Sequence, residues 1–220
     1  MKKPPLFALI GFILLLLGAA LLLPGGRPPD PNPRLPWKIE LDGAGGSRVF
    51  GLKLGQSTLA DARSILGEQG VASLFQSPDG KRVIEAYFER IALSGLRADI
   101  ILSLEVAPET MAAMFDRGAR LSSLPSGVKK VTLADNDLIS LAGAPIAHIT
   151  YIPGADLDEP LLLGRFGEPA RKAPEGEGVV HWLYPDKGLD IVVNREGREM
   201  FQYVAPARFH ELAQPLGVGG

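Results

Sequence analysis

The sequence predicts an α+β protein: an N-terminal transmembrane helix, a Pro-rich linker, then two tandem repeats of helix plus antiparallel sheet. Three observations carry that expectation. Eighteen uncharged residues, Leu6 to Leu23, follow Met1-Lys2-Lys3 and stop at Pro24. Prolines at 24, 28, 29, 31, 33 and 36 crowd the next stretch. A series of helix caps, glycines and a Val-Ala-Pro tripeptide then recurs at an offset near 100 residues. The chain divides accordingly into a transmembrane anchor or signal peptide (1–23), a Pro/Gly-rich linker (24–46), a first α+β repeat (47–153) and a second (154–220).

At about 1.5 Å per helical residue the apolar run reaches roughly 27 Å, close to a bilayer core of about 30 Å. It admits two readings. Lys2 and Lys3 ahead of an apolar stretch, with Gly18-Ala19-Ala20 at a cleavage position, fit a secretory signal. Leu21-Leu22-Leu23 would then be left on the mature N-terminus, and that favours an uncleaved anchor. The chain has no cysteine, which excludes lipid anchoring through an N-terminal Cys. Arg27, Arg34 and Lys38 nearly balance the positive N-tail, but a short tail ahead of a long domain favours tail in, domain out. The expectation is a single-pass protein of a bacterial inner membrane with its C-terminal domain in the periplasm.

Each Pro in the linker fixes its own φ and pushes the preceding residue out of the α region, so no helix forms there. Residues 1–38 hold five Lys/Arg and one Asp, which leaves 18 basic and 24 acidic residues in 39–220, a net charge of −6. A domain of that sign is repelled by nucleic acid, and nucleic-acid binding is excluded.

The repeat begins at Ser57-Thr58, aligned with Leu157-Asp158. Thr58 and Asp158 are N-cap types, able to accept from otherwise unpaired helix N–H groups. Pro160 falls in the first turn, where its missing N–H costs little, and Gly67 and Gly167 suit the left-handed residue that closes a helix. Val106-Ala107-Pro108 recurs as Val204-Ala205-Pro206. Between these markers the pattern has period two. Ile84, Ala86, Phe88 and Ala92 alternate with Glu85 and Glu89, while Ile100, Leu102, Leu104 and Val106 alternate with Ser103 and Glu105. Leu189, Ile191 and Val193 lead into Asn194-Arg195-Glu196-Gly197, expected as a hairpin turn ending on a left-handed glycine, then Met200 to Val204. Lys129 to Pro153 is expected as a further hairpin, turning at Ala134 to Asp137. One apolar and one polar face suit an antiparallel sheet covered by helices on one side.

Gly55-Gln56-Ser57-Thr58 followed by Leu66-Gly67 resembles the opening of the BamE/SmpA-like bacterial envelope proteins. Phe166-Gly167-Glu168-Pro169, Trp182-Leu183-Tyr184 and the hairpin from Gly188 are similar to the second half of their pattern. The resemblance implies a helix–helix–sheet unit, in tandem as in the β-lactamase-inhibitor-protein fold, over about residues 50–212. It also implies a non-enzymatic, protein-binding role. The first copy offers Ala86-Tyr87-Phe88 in place of the Trp-x-Tyr, and the family's anchoring cysteine is missing.

Signals of chemistry are sparse. His148, His181 and His210 fall on different elements with no i, i+4 pair, so no metal site is expected. Ser126-Gly127-Val128-Lys129 matches Ser-x-x-Lys but follows Pro125 and runs into a strand-like segment, where Ser and Lys point apart. Asp135-Asn136-Asp137 and Asp156 to Glu159 lack the spacing of a calcium loop and read as turn and cap residues. Gly43-Ala44-Gly45-Gly46 has no P-loop lysine and reads as linker. No catalytic residue, cofactor or metal ligand is assigned. The candidate recognition surface is aromatic: Trp182 and Tyr184 with His181, Phe201 and Tyr203, residue types that bury area and keep a polar tip. The function these signs point to is a membrane-tethered periplasmic module, non-enzymatic, that binds another envelope protein. Alternatives are a binder of lipid or another small apolar ligand and an unrecognised envelope hydrolase.

Overall fold

Period-two burial runs through most of the chain from Ile39 to Tyr203, and strands dominate accordingly. The computed structural model describes residues 31–217 apart from Glu177 and Arg195. A small antiparallel sheet comes first: β1 (Ile39–Leu41), β2 (Ser47–Val49) and β3 (Leu52–Lys53). Helix α1 (Leu59–Leu66) leads into β4 (Val71–Gln76), β5 (Arg82–Leu93) and β6 (Leu96–Leu104). Helix α2 (Pro108–Asp116), the β7 (Arg120–Ser123) and β8 (Lys129–Thr132) hairpin and helix α3 (Asp135–Ser140) precede β9 (Ile146–Pro153). Helix α4 (Glu159–Phe166) then leads into β10 (Arg171–Pro174), β11 (Val179–Tyr184), β12 (Leu189–Asn194) and β13 (Met200–Tyr203). A 3-10 turn, Pro206–Arg208, and the short helix α5 (His210–Ala213) close the described chain.

These strands form one ten-stranded antiparallel sheet, ordered β10-β11-β12-β13-β9-β6-β5-β4-β8-β7. Two tandem repeats were expected, and that fold class is corrected. Strand β9 pairs with β6 on one side and β13 on the other, so both meanders share one sheet and one core. Residues from Arg34 onward form a single compact unit, and the helices are few and short.

The expected anchor helix, Leu6–Leu23, lies outside the described residues. Among those described, no helix is long and apolar enough to cross a membrane. The longest, α2 with nine residues, spans only about 13 Å. The transmembrane helix, signal-anchor and single-pass inner-membrane placement are therefore withdrawn. The expected linker is also partly folded. Prolines forbid helix but not extended chain, and Trp37 and Ile39 pack against the core. Gly43 to Gly46 turn β1 into β2, with Asp42 Oδ1 accepting from the Ala44 and Gly46 N–H groups at 2.9 Å each.

Local signals fold as read where they are self-contained. Thr58 caps α1 in a full capping box with Asp61, and Gly67 closes it at φ 72°. Asp158 caps α4 by accepting from the Leu161 N–H at 2.8 Å. Other expectations fail for identifiable reasons. Lys129 to Pro153 is no hairpin: β8 pairs with β4, and Asp135 to Asp137 start α3, where acids favour the helix N-terminus. A bulge with Arg90 at φ 50° interrupts β5, so Ile91 and Leu93 face the core instead of Ala92. The Asn194–Gly197 turn joins β12 to β13 without a left-handed Gly197. Gly167 has φ 79° but ψ −174°, outside the helical left-handed region.

Register places Leu74, Ala86, Leu102, Ile149, Phe201 and Ile191 on the same face, which is buried through the inner strands and exposed only at the edges, at Leu121 of β7 and Lys172 of β10. Rings bridge the sheet's centre. Tyr151 of β9 stacks on Phe50 at 5.2 Å and on Phe201 at 5.7 Å, and Phe166 of α4 meets Phe201 edge-on at 5.4 Å. Phe50 is the tip of the β2–β3 hairpin and holds φ 55°, a left-handed conformation costing about 1–2 kcal/mol for a bulky residue. Burial of its ring between Tyr151 and Tyr203 offsets that strain. Replacing Phe201 by Ala should cost about 3–5 kcal/mol in urea denaturation. Fluorescence and circular dichroism should report one coincident transition, because both meanders lean on this ring; two separated transitions would count against one cooperative sheet.

Candidate functional site

Alternation along each strand makes the second face of the sheet as definite as the first. On β10–β13 this second face is covered: Phe209, Leu212 and Ala213 of α5 pack on Ala173, Leu183 and Val204. On the side of β4, β5, β6, β8 and β9 it is open. Cross-strand partners there line up into rows perpendicular to the strands. Thr132, Ser73, Glu85, Ser103 and His148 form an unbroken polar row. On one side of it lies Phe75 opposite Val83, and on the other Val71, Tyr87 and Ile101. Neighbouring rows are two residues apart along each strand, about 6.6–6.8 Å.

The groove over these rows has a volume of about 640 Å3, with Phe75, Val83, Glu85, Ser103 and His148 in its walls. A smaller hollow of about 330 Å3 adjoins it, lined by Val71, Tyr87, Ile101 and Lys130 and sharing Phe75 and Glu85. Polar groups wall off the end nearest α5. His148 Nε2 meets Glu211 Oε2 at 2.7 Å, and Arg208 Nε donates to Glu211 Oε1 at 2.6 Å while reaching Glu105 at 3.4 Å. Burial alone would raise the Glu211 carboxyl, but hydrogen bonds from Arg208 and His148 outweigh it and hold its pKa below the ordinary 4.5. Glu85 shows the reverse. Its carboxyl has no hydrogen-bond or ion-pair partner among the described residues, and burial pushes its pKa up.

Ser103 stands directly across from His148, which Glu211 orients. That order of groups is the one a serine hydrolase uses. Ser103, however, makes no hydrogen bond to His148 among the described contacts, and it sits mid-strand between two paired neighbours. Its strand is paired on both sides, to Glu85 and to His148, with a register shift between Ser103 and Leu104 on the β9 side. Among the described residues no three His, Cys, Asp or Glu side chains converge to hold a metal ion.

The aromatic set expected as a recognition surface is placed elsewhere. Trp182, Tyr184, Phe201 and Tyr203 are all buried on the main core face, opposite the face that α5 covers, Trp182 to 1 % exposure. The Tyr184 and Tyr203 hydroxyls donate to the Gly167 and Pro36 carbonyls at 2.9 Å, and burial pushes Tyr184 up to about 12. His181 lies on the opposite face, buried between two carboxylates: Nδ1 to Asp190 at 2.6 Å and Nε2 to Glu175 at 2.8 Å. None of the five offers a surface to a partner. Glu85, Ser103 and His148 went unrecognised as a group because their sequence signal, a polar residue every second position, is also that of any solvated sheet face.

Comparison with known protein families, with curated proteins and with solved structures found no match for the chain.

Burial opposes the charged form of His181, but hydrogen bonds and charge from Asp190 and Glu175 outweigh it, and its pKa rises above the ordinary 6.5. A folded value above the unfolded one gives stability that is complete below about pH 6.5 and lost as pH rises through the folded pKa. Burial raises the Asp190 carboxyl above its ordinary 3.8, and the hydrogen bond and charge of His181 work against that rise. Denaturation midpoints should therefore fall as pH is raised through the folded pKa of His181, and His181→Gln should flatten that slope. An unchanged slope in the variant would remove His181 as its source.

Proposed function

We propose that the chain is a non-enzymatic protein-binding module that takes its partner on the uncovered half of the sheet. The observation that carries this reading is the asymmetry of that face. Where α5 lies, apolar side chains are covered; over β4 and β5, Val71 remains 64 % and Tyr87 39 % exposed beside a groove. Exposed apolar side chains grouped at a concavity are a mark of interaction surfaces. The resemblance to the BamE/SmpA-like proteins supports the same role. The non-enzymatic part rests on the mid-strand position of Ser103 and on the lack of a Ser103–His148 hydrogen bond among the described contacts.

A small apolar ligand is the second reading, favoured by a groove volume inside the 300–1,000 Å3 range of ligand sites. It fits less well. An apolar guest would cover Glu85 and Ser103 without pairing them, and each buried unpaired polar group costs about 1–3 kcal/mol.

A photo-crosslinking residue at position 87 should capture one defined protein in intact cells. The same residue at position 139 on α3, where Ile139 is 72 % exposed outside the groove, should not capture it. Val71→Asp should abolish the capture. Equal capture at both positions, or none at position 87, would refute a binding role for this face.

A further inference from the structure

Glu85 is placed against the interest of stability. It stands between Ser73 and Ser103 on the groove floor, in both hollows, with apolar rows two residues away on either side. A half-buried carboxylate without a partner loses hydration and gains nothing in return. The cations around it are engaged or distant. Arg208 is held by Glu211 and Glu105, and Arg82 by Gln76 and the Phe115 ring. Lys130 of β8 lies over the Phe75 ring at 5.7 Å. Lys81 precedes Glu85 by four residues, about 13 Å along an extended chain. The remaining charges facing the groove are Glu105 and Glu211, with His148 bound to the latter.

We propose that Glu85 is the anchor for one basic side chain, lysine or arginine, inserted by a partner protein whose flanking apolar residues sit on Phe75–Val83 and on Val71–Tyr87–Ile101. This rests on the binding role given above and adds the partner's chemistry. Along β5 the floor reads apolar, acidic, apolar at positions 83, 85 and 87. An extended partner segment repeats its same-side residues at the same spacing of about 6.8 Å. The complementary pattern is apolar–x–Lys/Arg–x–apolar. A cation there supplies the missing counter-charge and hydrogen bonds to Glu85, and bonds to charged groups are the strong ones.

The test pans a random 12-residue peptide display library against the full chain, then measures selected peptides by fluorescence anisotropy. The expected result is enrichment of a basic residue with apolar neighbours at −2 and +2. Binding should weaken about tenfold or more in Glu85→Gln, and equally when the basic residue becomes norleucine. Glu85→Gln should melt no lower than the parent at pH 7, since it removes an unpaired charge. Peptides that lose binding in Tyr87→Ser but show no basic preference would overturn the Glu85 anchor and leave the binding face standing. Absence of any peptide sensitive to Tyr87→Ser would overturn both.

Discussion

Strand β9 is the constraint from which the rest of the architecture follows. In register, its Ile149 and Tyr151 stand opposite Leu102 and Ile100 of β6 on one side and Tyr203 and Phe201 of β13 on the other. Because side chains alternate with a period of two, those shared residues force both meanders to present their apolar sets on one common face. A one-residue slip on either side would turn Phe201 or Leu102 to the opposite surface. The Phe50–Tyr151–Phe201–Phe166 contacts then fasten the β2–β3 hairpin, the sheet and α4 at that point. Phe50 tolerates left-handed backbone because that conformation places its ring against Tyr151 and Tyr203.

A shared apolar face leaves a second face whose fate depends on how much chain remains to cover it. Among the described residues, the segment from Pro206 to Leu216 lies there, over the β10–β13 end. Its length sets the boundary: Glu211 reaches His148 on β9, and coverage stops. The groove is thus what is left beyond the end of α5, with Arg208 and Glu211 as its polar rim. The same segment that completes a small core at one end shapes the wall of the open site at the other.

How much of this was legible in the sequence divides by range. Thr58, Gly67 and Asp158 act within one helical turn of themselves, so their roles read directly from the residues. The period-two runs gave strands and inward-facing sets, except where the Arg90 bulge shifts the phase. What did not read was pairing. Nothing local to Ile146–Pro153 says that it joins β6 to β13, and without that link the two meanders look like separate repeats. Trp182 and Tyr184 were placed on one face correctly, but which face would be covered depends on where α4 and the β2–β3 hairpin dock. The polar row was hidden for a related reason. Ser73, Glu85, Ser103 and His148 are spread over 76 positions and become neighbours only through three registers.

Set beside His181, Glu85 shows how position on one face can separate structure from binding. Both are titratable and largely removed from water, and both belong to the face opposite the main core. His181 lies on the covered end of that face, where Asp190 and Glu175 use both ring nitrogens, although Asp190 Oδ1 is left buried without a partner among the described residues. Glu85 lies beyond that cover and keeps its carboxyl unpaired. Desolvation raises the cost of the charge in each case, and among the described residues His181 has counter-charges to meet it while Glu85 has none. A lone carboxylate beside exposed Tyr87 and Val71 weakens the free protein in the same place where it would strengthen a complex. That coincidence of electrostatic cost and apolar exposure in one groove is the physical basis for placing the binding surface there rather than on the buried aromatic set.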